Sequence, residues 1–273
     1  HSQIDFIISQ IKKFQAPKME KYLFISCTVM PGYIDIISKN IGGLKYIVGY
    51  NPEFIAQGSI IRDMQNPDIV LIGADNKNAQ NILEKIYSKI CLNKPLIHTM
   101  SPKEAEITKI ALNCFLTTKI AYANMIGDLA RSVGADESII LNAIGSDSRV
   151  GRFFLKYGYG FGGPCLPRDN RALLSFADDH GYNALISKYT DMANKEHLDF
   201  QINEFCNCFS KKETVKISGL AYKAGTNILE ESQKLEFGVR LAQLGYRVEL
   251  EDNELVLEEI KAQYGGLFSY RKI

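Results

Sequence analysis

The stretch SPKEAEITKIALNCFLTTKIAYANMIGDLARSV, residues Ser101–Val133, decides how this chain is organised. Ser101 is a suitable helix N-cap, Pro102 fits the first helical position, and Glu104 stands where a capping box needs an acid. The stretch then contains no further proline and a single glycine before Gly134. We therefore predict one long helix, which separates two segments of different character.

Before this helix, short apolar runs alternate with segments of helical spacing. The run Tyr22–Thr28 is typical of a buried strand, and Asn76–Ile90 has the apolar spacing of a helix. Strands that alternate with helices predict an α/β protein with a mostly parallel sheet. Because proline disfavours a helix at the preceding residue, Asn51-Pro52 and Asn66-Pro67 are predicted loops. The other predicted strands are Leu44–Val48, Ile69–Ile72 and Pro95–Thr99.

After the long helix, Asp136 is a candidate cap for a second helix that reaches Gly145, and a glycine-rich loop follows over Arg149–Asp169. Helical sequence resumes at Asn170 and continues to about Phe209. A single β–α–β unit comes last, and such a unit alone buries the faces of its sheet poorly. Its parts are strand Thr214–Ser218, helix Glu231–Leu244 and strand Arg247–Leu250. These changes predict three domains, at residues 1–100, 101–209 and 210–273.

The composition is that of an ordinary globular protein, with 46% hydrophobic and 23% charged residues among 273. A net charge of +1 offers little field to attract nucleic acid or an anionic membrane. No apolar run approaches the ~20 residues of a membrane span. We therefore expect neither nucleic acid nor a membrane as a partner. Six cysteines form no C-x-x-C pair and four histidines show no ligand spacing, so we expect a reducing, cytoplasmic location and no metal site.

The long helix carries a polar stripe among apolar residues. At about 100° per residue, five polar side chains fall within one arc of roughly 80°. A mostly apolar helix is buried, and a buried polar stripe must find partners. Two interpretations are open, a solvent-exposed face or a functional stripe inside the protein. The stripe comprises Glu106, Lys109, Asn113, Thr117 and Asn124.

The glycine-rich segment GYGFGGPCLPRD, residues Gly158–Asp169, is a sharper signal. Glycine allows a backbone to approach a ligand closely. Cys165 stands directly before a predicted helix, whose N-terminus favours a thiolate and developing negative charge. The alternative is a small buried cysteine in a turn, a structural role that we assign to the other five cysteines. Asp169 could serve as the N-cap of the same helix.

Four motifs in the right order resemble the UDP-glucose 6-dehydrogenases of the UDP-glucose/GDP-mannose dehydrogenase family. Asn51-Pro52-Glu53-Phe54, with Gly58-Ser59 and Asn66-Pro67-Asp68, is similar to their NPEF…EGS…NPDR stretch. Phe161–Asp169 resembles their FGGSC-x-x-KD signature, and Gly219–Lys223 is similar to GLAFK. The pattern Glu106-x-x-Lys109-x-x-x-Asn113 resembles their helix motif. The sequence C-L-P-R-D also resembles the GDP-mannose branch, and UDP-N-acetyl-hexosamine dehydrogenases belong to the same family. The motifs therefore do not decide which nucleotide sugar is the substrate.

The resemblance, which covers about residues 20–250, implies a fold, a partner and a reaction. Residues 1–100 would be half of a Rossmann-like NAD-binding domain, and 210–273 part of a second Rossmann-like domain that binds the nucleotide sugar. The helical domain 101–209 would form a homodimer through its long helix. The implied reaction is the four-electron oxidation of a sugar C6 alcohol to a carboxylate with two NAD⁺.

The resemblance also assigns chemical roles. Cys165 is the expected nucleophile, which acts through a thiohemiacetal and a thioester. Lys109 and Asn113 would stabilise the oxyanions that form along the way. Asp169 would act as, or order, the base that activates water.

The remaining site residues follow from the same resemblance. Thr28 and Glu53 match a polar pair that positions a catalytic water. Arg149 matches an arginine that reaches across the dimer to the partner's sugar, and Lys223 matches a substrate contact. The residues expected beside the nucleotide and sugar are Phe154, Leu155, Lys156, Phe161 and Gly162. The residues expected on the cofactor side are Thr28, Gln57 and Arg168.

Several positions depart from the family pattern. Gln57 replaces the usual acid of E-G-S, Ile69 stands where the family has an arginine, and Glu230 falls where the family has a cofactor-contacting arginine. The G-x-G-x-x-G loop that would hold the NAD pyrophosphate does not occur in the sequence, so we expect weak NAD binding by this chain alone. Two accounts stay open: a fragment of an active enzyme, or a degenerate homologue that serves as a non-catalytic nucleotide-sugar-binding or dimer-forming module.

Overall fold

The structure is a computed structural model that describes residues 2–14, 16–55 and 58–273. The chain forms two compact units, His1–Leu112 and Asn113–Ile273. The finer division into three domains stays a prediction.

The first unit is built on a four-stranded sheet. Its elements are α1 (Ser2–Ile11), β1 (Lys21–Ile25), α2 (Tyr33–Ile41), β2 (Tyr46–Tyr50), α3 (Ile60–Gln65), β3 (Ile69–Gly73), α4 (Lys77–Ile90), β4 (Leu96–Met100) and the first part of α5 (Pro102–Ser132). The sheet order is β1-β2-β3-β4, with β1 parallel to β2 and β3 parallel to β4. Tyr50 and Gly73 form an antiparallel junction between β2 and β3. The mostly parallel sheet is therefore confirmed, with one junction that the alternation of elements did not predict.

The core of the first unit is filled from α2. Ile34, Ile37 and Ile41 lie at helical spacing and are at most 1% exposed. They belong to one hydrophobic cluster with Val48 and Tyr50 of β2. This packing fixes the helix against the carboxyl half of β2.

Helix α5 begins and ends as its sequence predicts. The Glu104 carboxylate accepts hydrogen bonds from the amide and the hydroxyl of Ser101, at 2.8 and 2.7 Å. The helix then continues for 31 residues without a break. It stops before Gly134, whose φ of 74° is a left-handed conformation that glycine adopts without strain.

The second unit contains the rest of α5, five further helices and a three-stranded sheet among the described residues. These elements are α6 (Glu137–Ser146), α7 (Leu166–Asp179), α8 (Leu185–Cys208), β5 (Thr214–Ser218), α9 (Gln233–Gln243), β6 (Arg247–Asp252), α10 (Glu254–Tyr264) and β7 (Ser269–Lys272). The predicted helical segment is confirmed, as two helices that are separated at Gly181, where φ is 67°. The Asp136 cap of α6 is also confirmed, because its carboxylate accepts the amides of Ser138 and Ile139.

The expectation of a lone β–α–β unit at the end of the chain was wrong. The sheet is parallel throughout in the order β5-β6-β7, because α10 and β7 add a second crossover. The sequence SYRK of β7 is mostly exposed and lacks the apolar alternation that predicts a strand. Together these elements bury a compact core that includes Leu220, Leu241, Leu250 and Ile260, each 0% exposed. Among the described residues, no helix is both long and apolar enough to cross a membrane.

Candidate functional site

In the first unit, two predicted site residues come to one edge of the sheet. Thr28 follows β1 and Glu53 follows β2, each by three residues, and the strand ends Ile25 and Tyr50 are paired in parallel. The parallel pairing continues past the strands, since the Glu53 amide donates to the Ser26 carbonyl at 3.3 Å. The carboxyl ends of parallel strands are where α/β sheets bind ligands. Thr28 is half-buried, and the Glu53 side chain is exposed.

Lys109 of α5 joins this group. Its Nζ donates to the main-chain carbonyl of Glu53 at 2.6 Å and lies 4.3 Å from the centre of the Phe54 ring. The residue is only 8% exposed. A lysine is rarely buried without such partners, because an unpaired ammonium is costly to remove from water. The loop after β2 therefore holds the Lys109 ammonium in place.

The polar stripe of α5 is buried, so its interpretation as a solvent-exposed face was wrong. Glu106, Lys109, Thr117 and Asn124 are between 0 and 8% exposed, and Asn113 is half-buried. Each of the five has a hydrogen-bond partner, which is what the burial of a polar group requires.

Glu106 has a role that the helix motif alone did not reveal. One carboxylate oxygen accepts the amide of Gly32 at 2.6 Å and the other accepts the amide of Ile34 at 2.8 Å. Helix α2 has no side-chain cap of its own, because Gly32 occupies its N-cap position. Glu106 supplies this cap from 72 to 74 residues away, at the positive end of the α2 dipole. Burial raises the pKa of Glu106, and the two amide donors oppose this shift.

In the second unit, Cys165 is the N-cap residue of α7 and is exposed to solvent. Pro167 lies within the first turn of this helix, where its missing amide hydrogen is not needed. The predicted position of Cys165 at a helix N-terminus is therefore confirmed. Cys27 and Cys208 are exposed as well, so the expectation that all other cysteines are buried structural residues was wrong for these two.

Asp169 does not cap this helix. Its Oδ2 accepts Nδ2 of Asn113 at 2.6 Å, and its Oδ1 accepts the Arg168 guanidinium at 3.0 and 3.1 Å. The Asp169 side chain is 2% exposed, whereas that of Arg168 is 55% exposed. The predicted catalytic residues Asn113 and Asp169 are thus in direct contact. Arg168, predicted on the cofactor side, is paired with Asp169.

Cys114 lies on the other side of Asp169. Its Sγ is 3.6 Å from the Asp169 carbonyl oxygen, and the residue is buried. Burial, reinforced by the Asp169 carboxylate, raises the pKa of the Cys114 thiol to about 12. Cys114 therefore remains a thiol over the whole physiological range, whereas Cys165 faces solvent.

The glycines of the loop before Cys165 allow close packing within the chain. A Cβ on Gly162 would lie 2.2 Å from the Glu231 carbonyl oxygen, and one on Gly163 would lie 2.3 Å from the Tyr222 ring. Gly160 is similarly close to the Asn194 amide. At these three positions the glycine backbone lies close to neighbouring segments of the same unit, whereas the sequence predicts a close approach to a ligand.

The residues expected beside the nucleotide sugar have different environments. Leu155 is 6% exposed and packs in a core cluster with Ala123 and Leu141. Phe161 is 3% exposed, and its amide and carbonyl are both held by the Asn194 side chain, at 2.8 and 3.0 Å. Neither side chain is open to solvent, while Phe154 and Lys156 are exposed and Gly162 is half-buried.

Arg149 and Lys223 lie at the surface of the second unit. Arg149 pairs with Asp147 at 2.7 Å, and its side chain is 87% exposed. Lys223 lines a cavity of about 740 Å³ that opens beyond the carboxyl ends of β5 and β6, near Gly219 and Asp252. Gln57, predicted on the cofactor side, lies outside the described residues. Among those residues there is no cluster of histidine, cysteine and acidic side chains that could hold a metal ion.

Sequence reasoning missed Asn194, which clamps Phe161, and Tyr222, which packs on Gly163. Tyr222 lies within the GLAYK motif, so the departure from phenylalanine was a usable signal. Burial raises the pKa of Tyr222, and the nearby Cys165 adds to the shift.

Two profiles of one known family match the chain and together cover more than half of it. Residues 2–91 match the profile described as UDP-glucose/GDP-mannose dehydrogenase family, NAD binding domain. Residues 103–196 match the profile described as UDP-glucose/GDP-mannose dehydrogenase family, central domain. The chain belongs to the UDP-glucose/GDP-mannose dehydrogenase family. The resemblance drawn from the four motifs is thereby confirmed.

Relatives within the UDP-glucose/GDP-mannose dehydrogenase family support the same assignment. The UDP-glucose 6-dehydrogenase of Pseudomonas aeruginosa is 36% identical over 211 residues, which are 76% of this chain and 47% of that protein. UDP-glucose 6-dehydrogenase TuaD of Bacillus subtilis is 34% identical over 231 residues, which are 84% of this chain and 49% of that protein. The chain spans about half the length of the curated relatives it matches.

A solved structure in this family confirms the α/β fold class. The UDP-glucose dehydrogenase from the hyperthermophilic archaeon Pyrobaculum islandicum is similar with a TM-score of 0.86 at 30% identity. The match covers 95% of this chain and 61% of that one.

Proposed function

We propose that this chain is part of a nucleotide-sugar 6-dehydrogenase that oxidises UDP-glucose to UDP-glucuronate with NAD⁺. One observation carries the proposal. In a chain of this family, the exposed Cys165 stands at the N-terminus of α7, four residues before a buried Asp169 that Asn113 holds at 2.6 Å. A nucleophilic thiol at a helix N-terminus and an ordered carboxylate are the groups that covalent oxidation of an aldehyde requires.

In the proposed mechanism, the Cys165 thiolate adds to the C6 aldehyde that the first oxidation produces. A C–S bond forms, the carbonyl π electron pair moves to oxygen, and the resulting oxyanion takes up a proton from solvent to give a thiohemiacetal. A second oxidation converts the thiohemiacetal to a thioester. Water then attacks the thioester carbonyl, the C–S bond breaks, Cys165 leaves as a thiolate, and the sugar leaves as a carboxylate.

Asn113 and Asp169 are proposed to act in the hydrolytic step. The Asp169 carboxylate would either hold the attacking water in place or accept its proton. Asn113 keeps that carboxylate oriented. Lys109 keeps the role that the resemblance gives it, the stabilisation of an oxyanion, which a buried ammonium performs well.

NAD⁺ is the cofactor that we propose for this reaction. Thr28 and Glu53 are proposed to position a catalytic water, with Thr28 also on the cofactor side, because both lie at the carboxyl edge of a parallel strand pair and the Glu53 side chain is exposed there. When bound, the cofactor supplies the hydride acceptor for both oxidations. The cofactor roles of Gln57 and Arg168 stay predictions.

The nucleotide is proposed to bind at the cavity of about 740 Å³ beyond β5 and β6. Lys223 lines this cavity and would attract the diphosphate. The curated relatives above are named UDP-glucose 6-dehydrogenases, which favours UDP-glucose over GDP-mannose. The surface residues Phe154 and Lys156 are proposed to complete the nucleotide contacts, with Leu155, Phe161 and Gly162 as their support.

We also propose a homodimer through α5. Its outer face carries large apolar side chains that are 44 to 62% exposed, and Ile139 of α6 is 68% exposed. Apolar surface of this extent on one helix marks an interaction site, and a twofold axis would pair it with itself. Arg149, 87% exposed, would then be available to a partner's sugar. The exposed residues on α5 are Phe115, Tyr122, Met125 and Leu129.

Isothermal titration calorimetry with UDP-glucose and GDP-mannose tests the substrate. We expect the chain to bind UDP-glucose, and Lys223→Ala to weaken binding by about tenfold, the value of one charge-assisted hydrogen bond. Lys212→Ala, at an exposed position outside the cavity, is the matched control. Equal or tighter binding of GDP-mannose would move the proposal to that branch, and no binding of either would contradict it.

A further inference from the structure

A buried histidine outside the predicted site connects two helices to the loop that leads to Cys165. His197 of α8 is 2% exposed. Its Nδ1 lies 2.8 and 3.0 Å from the two carboxylate oxygens of Asp128 on α5. Its Nε2 lies 2.6 Å from the carbonyl oxygen of Gly158. Neither His197 nor Asp128 lies within any of the four family motifs.

Both ring nitrogens of His197 face oxygens that accept. The Gly158 carbonyl can only accept, and the Asp128 carboxylate already accepts the hydroxyl of Tyr157 at 2.9 Å. A neutral imidazole donates from only one nitrogen. If Nε2 donates to Gly158, a further proton must therefore lie between Nδ1 and Asp128. The ring is thus held by a hydrogen bond on each side, to Asp128 and to the Gly158 carbonyl.

The other charged groups near this pair are themselves partnered. Arg131 of α5 lies 5.5 Å from the centre of the Tyr157 ring and pairs with Glu204 of α8 at 2.8 Å. Burial, reinforced by Asp128, raises the pKa of Tyr157, so its hydroxyl remains a donor at neutral pH. The pair of His197 and Asp128 therefore belongs to a network of hydrogen bonds and ion pairs in which the neighbouring charged side chains, Arg131 and Glu204, are paired with each other.

This network holds the segment 157–161 from two sides. The Tyr157 ring lies on Gly127 of α5, where a Cβ would be only 2.0 Å away. The Gly158 amide donates to Asn124 at 3.1 Å, and its carbonyl accepts from His197 and from Gln201. The chain then continues through Gly162, Gly163 and Pro164 to Cys165.

We propose that His197 is a positioning residue: through its hydrogen bonds to Asp128 and to the Gly158 carbonyl, it fixes the segment 157–161 and so sets the position of the Cys165 loop. The inference rests on the proposed function for its catalytic consequence, but not for its structural claim. His197 itself touches no substrate or reacting atom.

A rescue experiment distinguishes this positioning role from a role in packing alone. In His197→Gln the amide nitrogen can still donate to Gly158, but the amide oxygen then faces the Asp128 carboxylate. Asp128→Asn in the same chain turns that repulsion into a hydrogen bond, so the double variant regains a connected network. His180→Gln, at an exposed histidine, is the matched control.

The first readout is hydrogen exchange at the amides of Gly158, Phe161 and Gly163. We expect exchange to accelerate about tenfold or more in His197→Gln, as for the loss of one buried hydrogen bond, and to return to within about threefold of wild type in the double variant. Exchange in His180→Gln should match wild type. Equal exchange in the single and double variants would overturn the inference, and so would wild-type exchange in His197→Gln.

The second readout is the affinity for UDP-glucose in the same four chains. We expect weaker binding in His197→Gln and recovery in the double variant. If wild type binds no nucleotide sugar, the proposed function fails while the exchange data still decide the role of His197. If wild type binds and the exchange pattern is absent, the inference on His197 fails alone.

Discussion

Replacing Asn113 with alanine tests what holds the buried Asp169 carboxylate. The Asp169 side chain is 2% exposed and receives Nδ2 of Asn113 at 2.6 Å. A hydrogen bond to a charged group contributes about 1.5–3 kcal/mol. The second partner, Arg168, is at 3.0 Å, but its side chain is 55% exposed. Water screens such a pair, which therefore contributes less than about 1 kcal/mol.

We therefore expect Asn113→Ala to lower the free energy of unfolding of the second unit by about 2 kcal/mol, and Arg168→Ala by less than about 1 kcal/mol. Urea unfolding followed by circular dichroism measures both changes. Unchanged m-values would establish that the variants differ in stability rather than in the surface exposed on unfolding. A loss in Arg168→Ala equal to or larger than that in Asn113→Ala would refute the argument that burial decides which contact matters.

Three further predictions concern Glu106, Cys114 and the exposed face of α5. Glu106→Gln should destabilise the first unit by about 2–3 kcal/mol in the same urea assay, because one of two buried amide donors loses its acceptor. Glu104→Gln, at an exposed position, is the control. An equal loss of stability in that control would contradict the role of Glu106 as the cap of α2. Cys114, whose pKa is raised to about 12, should remain unlabelled by iodoacetamide at pH 8 in the folded chain and react only after unfolding, which peptide mass spectrometry detects. The chain should be a dimer by light scattering at tens of micromolar, and Leu129→Glu on the 61% exposed position should make it a monomer, whereas a monomeric wild type would exclude the α5 interface.

Local signals in the sequence were sufficient for the limits of the elements around the site. The capping box of Ser101 and Glu104 and the left-handed Gly134 act within one turn of the helix that they bound, so their effect is visible in the sequence itself. The same holds for Cys165 before α7, where a proline follows in the first turn.

Long-range partners could not be read in the same way. The polar stripe required partners, but nothing local distinguishes Asp169, which lies 56 residues from Asn113, from other acids of the chain. Gly162 and Gly163 were interpreted as making room for a ligand, because a sequence does not show which backbone approaches a missing Cβ. Strand β7 does not follow from its polar sequence, because it is stabilised by its pairing with β6 rather than by an apolar face. The spacing of Val256, Leu257 and Ile260 in α10 was a usable signal, since these residues form its buried face.

Chemical labelling of the cysteines tests the central claim, that Cys165 is the nucleophile of a nucleotide-sugar site. Iodoacetamide at pH 7, followed by peptide mass spectrometry, measures the rate at each cysteine with and without UDP-glucose. The exposed Cys27 and Cys208 serve as internal controls of the same chain. We expect Cys165 to react fastest, because it lies at the positive end of α7, and UDP-glucose to slow Cys165 alone. Faster labelling of Cys27 or Cys208, or equal labelling of Cys165 in the presence of UDP-glucose, would contradict the account.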